Sequence, residues 1–92
     1  MKKQNNFLKN KSILITGGTG SFGQRFVDFV LKNIKEIKKI VIFSRDELKQ
    51  SEMIKEYSEK YQSKSRFFIG DLRDKERVNR ALDGIDIVVH AA

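Results

Sequence analysis

Three glycines spaced three apart, Gly17, Gly20 and Gly23, follow directly on the apolar run "SILIT" of Ser12–Thr16. Four of the six glycines in the chain lie between Gly17 and Gly23. Such a G-x-x-G-x-x-G turn between a strand and a helix has a physical use for each glycine. The first permits a tight turn, the middle one lets a pyrophosphate approach the backbone, and the last lets helix and strand pack closely. The helix that opens there presents free N–H groups and partial positive charge to phosphate oxygens. Gly18 needs no ligand to explain it, since a left-handed turn suffices. A P-loop is excluded because no Gly-Lys-Ser/Thr follows.

A second group of chemistry-bearing residues stands in "IFSRDELK". A site for an unphosphorylated adenosine ribose places Asp or Glu at the end of the second strand. Here Ser44 and Arg45 occupy that place, and a hydroxyl and a guanidinium suit a 2′-phosphate. NADP is therefore favoured over NAD, while Asp46 within reach of a ribose keeps NAD open. Ser44 and Glu47 also have the Ser-x-x-Glu form of a capping box, which accounts for those two residues but not for Arg45. A third group, "GDLRD", sets Asp71 and Leu72 after the third strand, where this fold flanks an adenine. A loop aspartate opening a turn explains Asp71 equally well. The lone His90 reads as a structural residue rather than an acid or base.

The elements that must position these groups follow from apolar patterning. "SILIT" (12–16), "KKIVIFS" (38–44), "RFFIG" (66–70) and "IDIVVHA" (85–91) are short apolar runs suited to strands buried on both faces of a parallel sheet. Phe22, Phe26, Phe29 and Val30 have helical spacing, and Lys32 sits near the end, so a helix is expected from Ser21 to about Asn33. A second helix runs from the Ser44–Glu47 box to about Lys60, with Leu48, Met53, Ile54 and Tyr57 for its inner face. Asp74 caps a third helix through Leu82, and Gly84 ends it. The order β-α-β-α-β-α-β implies an α/β fold of the Rossmann-like type, a parallel sheet with right-handed crossovers and flanking helices. Residues 1–11 form a basic leader, and 12–92 are expected to be the first half of a dinucleotide-binding domain.

Bulk properties limit the alternatives. The 92 residues allow one small domain. No cysteine is present, which excludes disulfides and fits a reducing, cytoplasmic location. With one histidine, a His/Cys metal site is not expected. No apolar run approaches the ~18 residues of a membrane span. The net charge of +7 comes from 19 basic and 12 acidic residues. They interleave, as in "RDELKQSEMIKEYSEKYQSKSR", so the excess reads as a solvated surface rather than a nucleic-acid footprint.

The motifs together resemble the extended short-chain dehydrogenase/reductase family. "ILITGGTGSFGQ", "IFSRDELKQSEM" and "FFIGDLRDKERV" resemble in particular the UDP-N-acetylglucosamine 4,6-dehydratases of bacterial surface-polysaccharide and flagellar-sugar synthesis. The resemblance covers essentially all of the chain after the leader. It implies bound NADP, with Thr19, Gly20, Ser21 and Phe22 at the phosphates. Ser44, Arg45, Asp46, Glu47, Leu48 and Lys49 would lie around the 2′-phosphate, Asp71 and Leu72 at the adenine, and Ala91 towards the nicotinamide. It implies a lyase that moves hydride from sugar C4 to NADP, loses water across C5 and C6, and returns hydride at C6, in some members with inversion at C5. The substrate would be a UDP-sugar and the intact protein a homo-oligomer.

The family's catalytic Tyr-x-x-x-Lys has no counterpart here. Tyr57–Lys60 and Tyr61–Lys64 are three residues apart, in another segment. The expectation is an N-terminal piece of a longer enzyme, with Ile85, Ile87, Val88 and Val89 on an exposed edge strand. Two rivals remain: another nucleotide-sugar epimerase or reductase of the same superfamily, and a non-catalytic dinucleotide-binding module.

Overall fold

A computed structural model describes residues 7–17, 19–60 and 64–91, with side chains unspecified at 58–60. Most of the basic leader, Gly18, Tyr61 and Ala92 lie outside the described residues. Four parallel strands, β1 (Ser12–Thr16), β2 (Lys39–Ser44), β3 (Ser65–Ile69) and β4 (Ile87–His90), form one sheet in the order β3-β2-β1-β4. The helices between them are α1 (Ser21–Asn33), α2 (Glu47–Lys60) and α3 (Lys75–Ala81). This is the expected Rossmann-like α/β fold, with element ends within two or three residues of those read from the sequence.

Alternation along each strand divides the core into two layers. Ile13, Ile15, Ile40 and Ile42 face α1 and α2, where they meet Val27, Val30, Leu31, Met53 and Tyr57. Leu14, Val41 and Phe43 face the other way, towards Val78 and Ala81 of α3 and towards Ile85. The Tyr57 hydroxyl donates to Asp28, tying α2 to α1. The central strand β1 is joined to the start of β4 twice, because the Ser12 N–H donates to the Asp86 carboxylate and the Asp86 N–H to the Ser12 carbonyl, both at 2.8 Å.

Helix faces depart from the sequence reading in two places. On α1 the buried stripe is Gly23, Val27, Val30 and Leu31, while Phe22 is 61% exposed and Phe29 is also exposed. Both stripes have helical spacing. Gly23 decides between them, because a residue without a side chain lets the helix axis come close to the sheet. Phe22 instead stacks on the half-buried Phe26, with centroids 6.3 Å apart. On α2, Met53 and Tyr57 are buried as expected, but Leu48 is 70% exposed and Ile54 is exposed too. Gln50, a polar residue, takes the inner position nearest the sheet, 1% exposed.

The edge strand β4 is more protected than expected. Ile85, Ile87 and Val89 are half-buried against the two layers, and only Val88 is largely exposed. Among the described residues no helix is long and apolar enough to cross a membrane.

Candidate functional site at the carboxyl ends of the strands

In a parallel sheet every strand delivers its following loop to the same edge, and open sheets bind ligands there. That edge carries a cleft of about 460 Å³, lined by Thr16, Gly17, Phe43, Ser44, Arg45, Asp46, Gly70, Asp71 and Leu72. It gathers the exits of β1, β2 and β3. Six residues singled out from the sequence meet in it: Gly17, Ser44, Arg45, Asp46, Asp71 and Leu72.

The β1 exit is built from backbone. Gly17 adopts φ 72°, a left-handed conformation that glycine reaches without the strain of a Cβ. Its N–H donates to the Phe43 carbonyl at 3.1 Å, and its carbonyl accepts from the Gly20 N–H at 3.1 Å. Gly20 then caps α1 with no side chain bonded over the first turn. The other two helices differ. Asp74 accepts the Arg77 N–H at the start of α3, and Asp46 accepts the Lys49 N–H at the start of α2. The first N–H groups of α1 are thus left for a ligand or water. Ser21 and Phe22 are exposed on that turn, and Gly23 is buried beneath it.

The β2 exit is built from side chains. Ser44 is the last residue of β2, not the cap of α2 as its Ser-x-x-Glu setting suggests. Asp46 caps the helix instead. Its carbonyl accepts the Gln50 N–H at 3.0 Å and its carboxylate the Lys49 N–H at 3.0 Å, so the aspartate one residue before the helix takes the position while Ser44 stays in β2. The buried Ser44 hydroxyl accepts the Asp46 N–H at 2.9 Å and pairs with the Thr19 hydroxyl at 3.0 Å. This links the β1–α1 loop to the β2 exit and leaves the hydroxyl capacity for one further bond.

Gln50 clamps the next strand. Its amide donates to the Ser44 carbonyl at 3.3 Å and the Phe68 carbonyl at 3.2 Å. Gln24, in the first turn of α1, donates to the Thr19 carbonyl at 2.8 Å. Neither glutamine was singled out from the sequence, because each acts through a tertiary contact that no spacing announces.

The β3 exit is crowded and charged. A Cβ on Gly70 would lie 2.7 Å from Arg77 Cγ and 2.9 Å from Phe43 Cζ, so this position needs the missing side chain for space. Arg77 caps the strand by donating to the Ile69 carbonyl at 2.7 Å while lying 4.3 Å from the centroid of Phe68. Asp71 accepts three hydrogen bonds from Arg73, from its backbone N–H at 2.9 Å, Nε at 3.1 Å and Nη2 at 2.8 Å. Arg45 reaches the same carboxylate more loosely, at 3.5 Å. The Arg73 hydrogen bonds hold the Asp71 carboxyl far below the usual carboxylate range, and the Arg73 guanidinium is raised in turn.

The remaining sequence candidates lie outside this cleft. Glu47 and Leu48 line a separate groove with Gln50, Ser51, Ile54, Phe67 and Ile69. Lys49 is exposed on the first turn of α2. Ala91 sits on the β4 side of β1, its N–H bonded to the Thr16 carbonyl at 2.9 Å. His90 pairs with the Thr16 hydroxyl through Nδ1 at 2.5 Å.

The pattern of the family described as polysaccharide biosynthesis protein matches residues 13–92. The chain belongs to that family. Its relatives include a Campylobacter jejuni protein named UDP-N-acetylglucosamine 4,6-dehydratase (inverting), 52% identical over 82 residues, or 89% of this chain and 23% of the relative. A Rickettsia bellii protein named UDP-glucose 4-epimerase is 48% identical over 85 residues, or 90% of this chain and 24% of the relative. The solved structure of Pen from Bacillus thuringiensis superposes with a TM-score of 0.83 at 38% identity, covering 94% of this chain and 26% of that one. The family member described here thus spans about a quarter of the length of the curated relatives it matches.

Proposed function

We propose that this chain is the NADP-binding portion of a UDP-N-acetylglucosamine 4,6-dehydratase, acting in the synthesis of bacterial surface or flagellar sugars. The observation that carries the cofactor choice is Arg45. A cation stands on the cleft at the β2 exit, where a site for unphosphorylated dinucleotide places a carboxylate. The uncapped first turn of α1 suits the pyrophosphate, and the cleft over Gly70–Leu72 suits the adenine. Thr19, Ser21 and Phe22 would present backbone N–H groups to the phosphates, while Gly20, its own N–H bonded to the Gly17 carbonyl, would let them approach the backbone. Gly23 lets α1 approach close enough to do so. Ser44, Arg45 and Asp46, with Glu47, Leu48 and Lys49 on the adjoining turn, would surround the 2′-phosphate. Asp71 and Leu72 would hold the adenine, and Ala91 would flank the cofactor on its way to the nicotinamide.

When bound, the nicotinamide supplies a reversible hydride acceptor. The residues of this chain would orient the cofactor: the β1–α1 loop would hold its central pyrophosphate and the Arg45–Asp71 side its adenosine end, and Ala91 would flank it towards the nicotinamide. Oxidation at sugar C4 acidifies the C5 hydrogen, which makes loss of water across C5 and C6 accessible, and hydride return at C6 completes the dehydration. The acid and base for those proton transfers are expected beyond the residues of this sequence.

The Campylobacter relative supports the dehydratase, and the Rickettsia relative supports a second reading, a UDP-glucose 4-epimerase. The two reactions share C4 oxidation but only the first expels water. The protein as its gene encodes it, incubated with NADP and UDP-N-acetylglucosamine, should give a 4-keto-6-deoxy sugar by nuclear magnetic resonance. Interconversion of UDP-glucose and its C4 epimer without that product would overturn the dehydratase in favour of the epimerase. Binding of NADP with neither reaction would leave a non-catalytic module.

A further inference from the structure

Arg73 does not line the cleft, yet it makes three hydrogen bonds to one carboxylate at its rim. Its guanidinium fork grips both carboxylate oxygens of Asp71, at 3.1 and 2.8 Å, and its own N–H adds a third bond at 2.9 Å. Arg45, which does line the cleft, reaches the same Asp71 oxygen at 3.5 Å, the limit of a hydrogen bond. One carboxylate therefore serves two arginines unequally. The arginine outside the cleft is bound by its fork, and the arginine inside is held near but not spent.

We infer that Arg73 is a positioning residue for dinucleotide selectivity: by occupying Asp71 it keeps Arg45 available to a 2′-phosphate. This rests on the proposed role of Arg45. Without Arg73, Asp71 has a free pair of oxygens facing one remaining guanidinium. A bidentate Arg45–Asp71 pair is then the preferred arrangement. A phosphate must break that pair before it can bind. An unphosphorylated dinucleotide makes no demand on Arg45 and is indifferent to the exchange. Exposed ion pairs are weak, so the effect is a shift in preference and not a loss of binding. An ordinary carboxylate is charged throughout the neutral range, so the competition does not titrate away there.

Equilibrium binding of NADP and NAD by the protein as its gene encodes it tests this without turnover. Arg73→Ala should weaken NADP by roughly three- to fivefold and change NAD by less than about twofold. Arg73→Lys keeps the charge but not the fork, and should behave like Arg73→Ala. In an Asp71→Asn background, Arg73→Ala should leave the NADP-to-NAD ratio unchanged, since no carboxylate is left to capture Arg45. An unchanged ratio in Arg73→Ala overturns the inference. So does a wild-type ratio in Arg73→Lys, which would reduce Arg73 to a long-range charge. So does an effect that persists beside Asp71→Asn, which would mean direct contact with the phosphate. If the unaltered protein binds neither dinucleotide, the cofactor reading falls first and takes this inference with it.

Discussion

The exits of β1 and β3 both depend on a glycine, for opposite reasons. Gly17 is required by conformation, since its φ of 72° lies where a Cβ is strained. Gly70 is required by space, since a Cβ there would press on Phe43 and Arg77. The first exit presents backbone and has no charged side chain on the cleft. The second, with its neighbour from β2, presents Arg45, Asp46 and Asp71. Backbone recognises what all dinucleotides share, the pyrophosphate. Side chains recognise what distinguishes them. On the proposed reading affinity and selectivity are separable in this site, and substitutions at the two exits should fall into two classes.

The largest effect is expected at the backbone exit. Gly17→Val puts a β-branched residue at positive φ, where it is a genuine outlier. NADP and NAD should both weaken by more than about a hundredfold by titration calorimetry, because the loop proposed to meet the pyrophosphate cannot form. Retained binding of either would show that the two exits are not divided as described. Arg45→Ala comes next. NADP should weaken by about tenfold, with NAD little changed, as one charge-assisted contact is lost. Equal loss of both would place Arg45 on the shared part of the cofactor.

Gly70→Ala should act on folding before binding. Overpacking against Phe43 and Arg77 should cost about 1–3 kcal/mol in denaturant midpoint analysis. The Arg77 methylene group can rotate away more readily than the ring of Phe43, which is stacked on Phe68 with centroids 5.8 Å apart. Gly70→Ala with Phe43→Leu should therefore recover part of the loss. The smallest effect concerns acid. Asp71 has its carboxyl pKa lowered in the folded chain, so its contribution to stability is fully present above the ordinary carboxylate value and disappears as pH falls well below it. The difference in melting temperature between the unaltered protein and Asp71→Asn should stay constant from pH 8 to about pH 5 and shrink only in stronger acid.

Much of this frame was legible from residue order. Four apolar runs bounded by glycine or charge gave four strands, and their alternation with helices gave a parallel sheet and the edge that carries the cleft. The glycine triplet was legible because spacing and position agree. Helix faces were less so. Phe22, Phe26 and Phe29 repeat at the same period as Gly23, Val27, Val30 and Leu31, and periodicity alone cannot prefer the stripe that contains a glycine. Ser44 and Glu47 match a capping box, but Asp46 competes for the same helix and prevails because Ser44 is held in the ladder of β2. Gln24, Gln50, Gly70 and Arg73 were invisible as site residues. Their partners, Thr19, Phe68, Phe43 and Asp71, become neighbours only through the fold or through a turn whose geometry the composition does not reveal.

The placement of β1 has a consequence for how the chain is made. β1 is synthesised first, yet it lies between β2 and β4, and its Ser12 backbone is closed by Asp86, 74 residues later. At ribosomal rates of ~5–20 residues per second, that partner follows after roughly 4–15 s. During this interval β1 can pair with β2 under α1, but its other edge stays open. A nascent chain paused within α3 would thus carry β1 with one edge unpaired, a natural binding site for a chaperone that recognises apolar extended segments.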